Sequence, residues 1–272
     1  MRPLTELVQI CDPDDLRVSA YRDIRERDLV GRRGRFVAEG KVVLRALLES
    51  SRFEAESILI SENKINGLAE VLVGVSSGTP VYVAPSAILE KIAGFALHRG
   101  ILAIGKRVDA AEPEVLVSQP DQPCLLVICV GISNHDNVGS IFRNAAAFGA
   151  DAVLLDETCC DPLYRKALRV SVGSVLKVPF FRGRSANELM ELLADRQIET
   201  YAMSPSGGVE LEALNPSRRS AIMFGSEGPG LPEEILNRVQ SVRIAMMEGI
   251  DSLNVGATSA IALHMFRGAL TT

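Results

Sequence analysis

Residues 124–130 read CLLVICV, seven apolar residues with no polar one between them. A strand open to water on one face alternates polar and apolar side chains. An unbroken run belongs to a strand covered on both faces, as in a parallel sheet flanked by helices. Four more short apolar runs follow: AVLLD (152–156), VPFF (178–181), IETYAM (198–203) and SAIMF (220–224). Helical spacing lies between and after them, over about 138–148, 162–170, 185–195, 232–239 and 252–267. Strand and helix in alternation predict an α/β unit with a parallel sheet.

The N-terminal part also alternates. RFVAEG (35–40), ESILI (56–60), PVYVA (80–84) and ILAIGKRV (101–108) read as strands, and KVVLRALLES (41–50) as an amphipathic helix. Asp12 to Asp15 would cap a helix through Leu16–Leu29, and Ser86 one that ends at Gly94. Residues 109–123 carry three prolines and little periodicity, which marks a linker. The expected organisation is a small α/β domain over 1–108, the linker, and a parallel-sheet domain over 124–272.

No apolar run approaches the ~20 residues that span a bilayer, and MRPLTELVQICDPDD has no secretory pattern. The five cysteines (Cys11, Cys124, Cys129, Cys159, Cys160) form no paired CxxC spacing and no cluster with histidines, so neither zinc nor any other metal is expected. Cys159 and Cys160 are adjacent; small apolar residues ending a strand is the simpler reading beside redox activity. A reducing cytoplasm fits this usage. Net charge is −5, against a binder that covers its whole surface with nucleic acid. The segment Tyr21–Arg35 departs from that balance. It holds Arg22, Arg25, Arg27, Arg32, Arg33 and Arg35 against Asp23, Glu26 and Asp28. A phosphate-binding patch and a solvated helix face laced by i,i+4 pairs both account for it.

Three segments of the second half carry more polar groups than their turns need. FGSEGPGLP (224–232) holds Glu227, and IAMMEGIDSLNVGATSAIAL (244–263) holds Ser252 and Asn254. Each glycine-rich turn follows a short apolar run that reads as a strand. NHDNVGSIFRNAAAFGAD (134–151) places Asn137, Gly139 and Arg143 at a strand-to-helix edge, where open parallel sheets bind ligands. Asn137 would cap the helix, and Asp251 or Ser252 the last one. Arg143, among small and apolar residues, either pairs with an acid such as Glu227 or faces an anionic ligand. GSEGPG is not a GxGxxG dinucleotide loop and lacks the Lys-Ser/Thr ending of a P-loop.

These segments resemble the three motifs of the SpoU (TrmH-type) ribose methyltransferases of the SPOUT class. Asn137, Gly139, Arg143, Phe148 and Gly149 match the first; Gly225, Glu227, Gly230 and Leu231 the second; Ile244, Met246, Ser252, Leu253, Asn254 and Val255 the third. Ala245 stands where the family has proline. The resemblance covers about 124–267, and more weakly FVAEG (36–40) and GFALHRGILAIGKR (94–107), which look like the L30e-like substrate-binding domain that often precedes it.

The resemblance implies a deep trefoil knot in the C-terminal domain and S-adenosylmethionine held by loops at Met203, Gly225, Gly230, Ile244, Met246 and Leu253. It implies methyl transfer to a ribose 2′-hydroxyl of tRNA or rRNA. Arg143 would activate the hydroxyl, Glu227 would orient Arg143, Ser252 and Asn254 would hold the ribose or the arginine, and Asn137 would fix the first loop. It implies a cytoplasmic homodimer packed at the knot, with no membrane partner and no metal. Candidate RNA contacts are Arg22, Arg25, Arg32, Arg33, His98, Arg99 and Arg165. The rivals are a catalytically silent RNA-binding protein of the same fold, a nucleotide-dependent oxidoreductase on a doubly wound sheet, and a SPOUT enzyme that methylates a base nitrogen.

Overall fold

A computed structural model describes residues 6–22, 24, 34–108, 111–117 and 122–271. The chain divides into two compact units. The first holds Met1–Ala110 with Leu163–Lys177, the second Ala111–Pro162 with Val178–Thr272. Periodicity does not mark the excursion of Leu163–Lys177 into the first unit.

In the first unit, β1 (Leu7–Gln9), β2 (Arg35–Glu39), β3 (Phe53–Ser61), β4 (Val81–Ala84) and β5 (Ile101–Arg107) form a mixed sheet in the order β1-β4-β3-β5-β2. Helix α1 (Lys41–Leu48) follows β2, and α2 (Ser86–Ala93) follows β4. The helix expected over Leu16–Leu29 is a 3-10 segment, Leu16–Tyr21. Asp15 opens it by accepting the Arg17 N–H at 2.8 Å, and the backbone turns extended at Arg22. Most of its expected second half lies outside the described residues. Tyr21 is fully buried and its hydroxyl shares a hydrogen bond with Ser57 at 2.7 Å. Gly94 ends α2 in the left-handed conformation, as its sequence predicts, but Pro85 and not Ser86 holds the cap position.

At the β2 edge of this sheet Phe36 packs its ring against β5. A Cβ on Gly105 would sit 2.4 Å from its ring. The ring is also held edge-on by Phe53, with centroids 5.4 Å apart. The glycine is therefore a space requirement of the core.

In the second unit, β6 (Cys124–Cys129), β7 (Ala152–Leu155), β8 (Phe180–Arg182), β9 (Glu199–Met203), β10 (Val209–Glu210), β11 (Arg219–Phe224) and β12 (Gln240–Arg243) form one sheet in the order β10-β12-β9-β11-β6-β7-β8. Every pairing is parallel, as the unbroken apolar runs predict. All six residues of β6 are buried. Helices α3 (His135–Phe148), α4 (Ala186–Asp195), α5 (Glu233–Leu236) and α6 (Val255–Thr271) complete the unit. Ser185 and Glu188 form a reciprocal capping box at the start of α4.

Two sequence expectations need correction here. The strand before the second glycine turn is Gln240–Arg243, and the apolar run Ile244–Met247 lies beyond it in a loop. The two-residue β10 carries no apolar run and escapes periodicity altogether. Cys159 and Cys160 lie in a turn four and five residues past the end of β7. Burial raises both thiols, Cys160 to about 11, which keeps them protonated and unreactive.

Gly105→Ala should cost about 1–3 kcal/mol of stability through overpacking against Phe36. Urea titration would show a lower midpoint; an unmoved midpoint would mean that the Phe36 ring yields freely.

Candidate active site

Parallel strands end on one side of their sheet, so the loops that follow them collect along one edge. Here β12, β9 and β11 are consecutive neighbours. Their last residues, Arg243, Met203 and Phe224, bring the loops that begin at Ile244, Ser204 and Gly225 side by side. Together with the turn 252–255 before α6 they enclose a cavity of about 320 Å³. Met203, Gly225, Gly230, Ile244, Met246 and Leu253 all line it. So do Ser204, Pro205, Phe224, Ser226 and Thr258, which motif matching did not single out. Their signal was position alone, next to a strand end or one turn into α6.

The loop after β11 is held by its own backbone. Gly230 donates its N–H to the Ser226 carbonyl at 3.1 Å, and the Ser226 hydroxyl donates to the Gly230 carbonyl at 3.3 Å. Gly225 faces this closure so closely that a Cβ would stand 2.4 Å from the Gly230 carbonyl carbon and the Leu231 nitrogen. Backbone cannot swing aside, so the loop requires glycine there. Gly230 has φ +71°, the left-handed region.

Polar side chains from three segments meet at the rim. Asn254 stands just before α6, and its Oδ1 accepts the Gly256 N–H at 2.8 Å. It therefore fills the capping role expected of Asp251 or Ser252. With Oδ1 occupied, its Nδ2 donates to Asn137 Oδ1 at 2.9 Å and to Glu227 Oε1 at 3.4 Å. Asn137 Nδ2 in turn donates to Glu227 Oε1. The result is a one-way relay of donors that ends on a carboxylate. Asn137 can take part because it is not the helix cap. Asn134 is, accepting the Asp136 N–H at 2.9 Å, and α3 starts earlier than its periodicity predicts. Asn137 is 3% exposed, so its amide needs these partners.

Asp156, also buried, supports the first loop. Its Oδ1 accepts the N–H groups of Gly131 at 3.1 Å and Cys159 at 2.9 Å, and its Oδ2 the Thr158 hydroxyl at 2.8 Å. The loop after β6 is thereby tied to the turn after β7.

The expected pairing of Glu227 with Arg143 is not formed: among the described residues its carboxylate is held by the two asparagines. Arg143 is exposed on α3 and does not line the cavity of its own chain. Ser252 does line it. Among the described residues Glu227 is the only charged side chain in the lining.

The candidate RNA contacts lie in the first unit. Arg22 donates to the carbonyls of Pro13 at 3.0 Å and Asp15 at 2.9 Å, with Asp14 at 3.7 Å, and is committed to its own turn. Arg25, Arg32 and Arg33 fall outside the described residues. Arg165 pairs with buried Glu39 at 3.2 Å and stacks on Phe95, 4.3 Å from the ring centroid. Arg99 is exposed, its stem packed across Gly40, while His98 beside it is exposed too. Glu39 and Leu102 pair across β2 and β5, so Arg99, Glu39 and Arg165 share one edge of the first sheet. Among the described residues no group of three or more His, Cys, Asp or Glu side chains is placed to hold a metal ion, and no helix is long and apolar enough to cross a membrane.

Comparison with known proteins agrees with this geometry. The SpoU rRNA Methylase family profile matches residues 124–264. An uncharacterized tRNA/rRNA methyltransferase of Mycobacterium bovis is 37% identical over 270 residues, covering 95% of this chain and 91% of its own. Among solved structures, an AdoMet-bound rRNA methyltransferase from Sinorhizobium meliloti superposes with TM-score 0.79 at 21% identity, over 98% of this chain and 99% of its own. An RNA 2′-O ribose methyltransferase superposes with TM-score 0.80 at 23% identity, over 98% and 100%. The three loops that build the cavity all fall inside the matched segment, and the chain belongs to the SpoU rRNA methylase family.

Proposed function

We propose that this protein transfers the methyl group of S-adenosylmethionine to a ribose 2′-hydroxyl of tRNA or rRNA. The observation that carries the reading is the convergence of the second and third motif loops on one cavity, with six expected cofactor positions in its lining and Asn137 of the first motif bonded to Glu227 and Asn254. The residues present fit the cofactor. A volume of about 320 Å³ lies in the range of small-molecule sites. Phe224, Ile244, Met246 and Leu253 offer apolar walls to a flat purine, and the glycine loop brings main chain close. Glu227 supplies the only charged lining group, a carboxylate suited to a cationic ligand. When bound, S-adenosylmethionine supplies a methyl group already activated by its sulfonium charge.

The chain must then orient the hydroxyl and draw off its proton. A guanidinium is a poor base, because it stays charged. Arg143 is better suited to clamp the phosphate beside the target ribose, where its field lowers the pKa of the hydroxyl. Ser252 and Asn254 border the same cavity and would hold the ribose. Glu227, fixed by Asn137 and Asn254, would orient the incoming groups rather than its own chain's Arg143.

Arg143 is exposed and does not line its own chain's cavity, which supports a homodimer in which each chain lends this side chain to the other. Met247, Ile250, Leu253, Ile261 and Met265 are exposed on the same unit, and burying them is a driving force for pairing. The trefoil knot belongs to the same proposal. It is supported by one close backbone approach between distant segments: a Cβ on Gly207 would stand 2.4 Å from the Val242 carbonyl carbon. The first unit would dock RNA through the edge that carries Arg99 and Arg165, and the protein would work in the cytoplasm.

Arg143→Ala should lower methyl transfer to RNA by about 100-fold or more, while calorimetric binding of S-adenosylhomocysteine stays near wild type. Turnover close to normal would remove Arg143 from the mechanism. Gly225→Ala should show the reverse order of damage. Its added methyl displaces the loop 226–230, and affinity for S-adenosylhomocysteine should drop by roughly tenfold or more, equivalent to about 1.4 kcal/mol. Undiminished binding by this variant would place the cofactor elsewhere.

A further inference from the structure

Helix α3 carries a second asparagine. Asn144 is seven residues beyond Asn137, two turns along the same face, and Ser140 lies between them on that stripe. All three face the start of α6. Asn137 holds the Asn254 side chain. Ser140 packs so near Gly256 that a Cβ there would stand 2.9 Å from the Ser140 Cβ. Asn144 Nδ2 donates to the Gly256 carbonyl at 2.8 Å and to the Ser259 hydroxyl, also at 2.8 Å.

What Asn144 does is shown by what its partners would lose without it. Ser259 already donates its hydroxyl to the Gly256 carbonyl at 2.8 Å. Remove Asn144, and that carbonyl keeps a donor and that hydroxyl keeps an acceptor. No buried group is left unpaired, so the large penalty for an orphaned polar atom does not apply. Yet two short hydrogen bonds from a rigid helix fix a neighbour's rotation and register far more narrowly than apolar contact does. Register matters here because Gly256 follows Asn254 by two residues, and 252–255 is one wall of the cavity.

We infer that Asn144 is a positioning residue. It locks the first turn of α6 against α3 and so sets the turn Ser252–Val255 for ligand binding. The consequence for the ligand rests on the reading of the cavity as an S-adenosylmethionine site; the consequence for the turn does not.

Two variants test it, Asn144→Ala and Asn144→Leu. Leucine matches asparagine in shape and fills the same space without a donor. In both, thermal melting of the full-length protein should stay near wild type. Hydrogen–deuterium exchange in the ligand-free protein should quicken selectively in peptides covering 249–256. Calorimetry with S-adenosylhomocysteine should give a dissociation constant raised by roughly fivefold to tenfold, the scale of one lost hydrogen bond. If leucine restores wild-type exchange and affinity where alanine does not, Asn144 is a packing residue and the inference fails. It fails equally if both variants keep wild-type exchange over 249–256. Should wild-type protein bind no S-adenosylhomocysteine, the cofactor reading falls, and exchange alone decides the role of Asn144.

Discussion

The site depends on where one strand is inserted. β11 enters the sheet between β9 and β6, and β12 then lies on the far side of β9. Because all pairings are parallel, three strands far apart in the chain end side by side, each about 4.8 Å from the next. Their loops have no other place to go than one edge. Had β11 been added beyond β8 instead, the glycine loop at 225–230 would open four strands away from Met203 and could not share a cavity with it. The apolar runs of these strands serve this arrangement directly. A strand buried on both faces can accept neighbours on both sides, which insertion requires.

The asparagines then convert a groove into a site with a defined polarity. Oδ1 of Asn254 must face the helix N–H groups to cap α6. That choice orients its amide, which orients the amide of Asn137, which aims a donor at Glu227. A capping requirement, worth about 1 kcal/mol wherever it occurs, thus decides the direction of every hydrogen bond to the carboxylate. Asn144 extends the same logic along α3, with Gly256 permitting the two helices to close on each other.

Much of this was legible in residues alone. Five runs gave strands of the second sheet: β6 and β7 are apolar and buried throughout, while β9 carries Glu199 and Thr200 at its start and β8 ends on exposed Arg182 at the sheet edge. The cavity positions were legible only through the motif resemblance; backbone contact at Gly225 and the left-handed φ of Gly230 give the physical reason that two of them are glycine. Caps were the weak point. Asn134 and Asn137 are both plausible first residues of α3, as Asp251, Ser252 and Asn254 are of α6, and local sequence cannot tell which will be drawn into tertiary bonds. The run Ile244–Met247 misled for a related reason: Ile244 and Met246 line the cavity rather than a sheet core and Met247 is exposed, and hydropathy does not distinguish these from a buried strand. The 3-10 turn at Leu16–Tyr21 and the excursion of Leu163–Lys177 depend on contacts made tens of residues away, as in the pairing of Arg165 with Glu39.

The exposed position of Arg143 is consistent with the charge of the cavity it leaves. Among the described residues Glu227 is the one acidic side chain in that lining, and no basic side chain joins it. A guanidinium brought to about 4 Å from a sulfonium would meet a repulsion of about 4 kcal/mol at an effective dielectric near 20. In the proposed reaction that penalty vanishes only when an RNA phosphate arrives with the arginine and neutralises it. An arginine supplied from outside the cavity, and recruited by the substrate's own charge, therefore couples activation of the hydroxyl to the presence of RNA. The cofactor would be bound by loops that carry no competing cation, and the reactive arrangement would assemble only in the ternary complex.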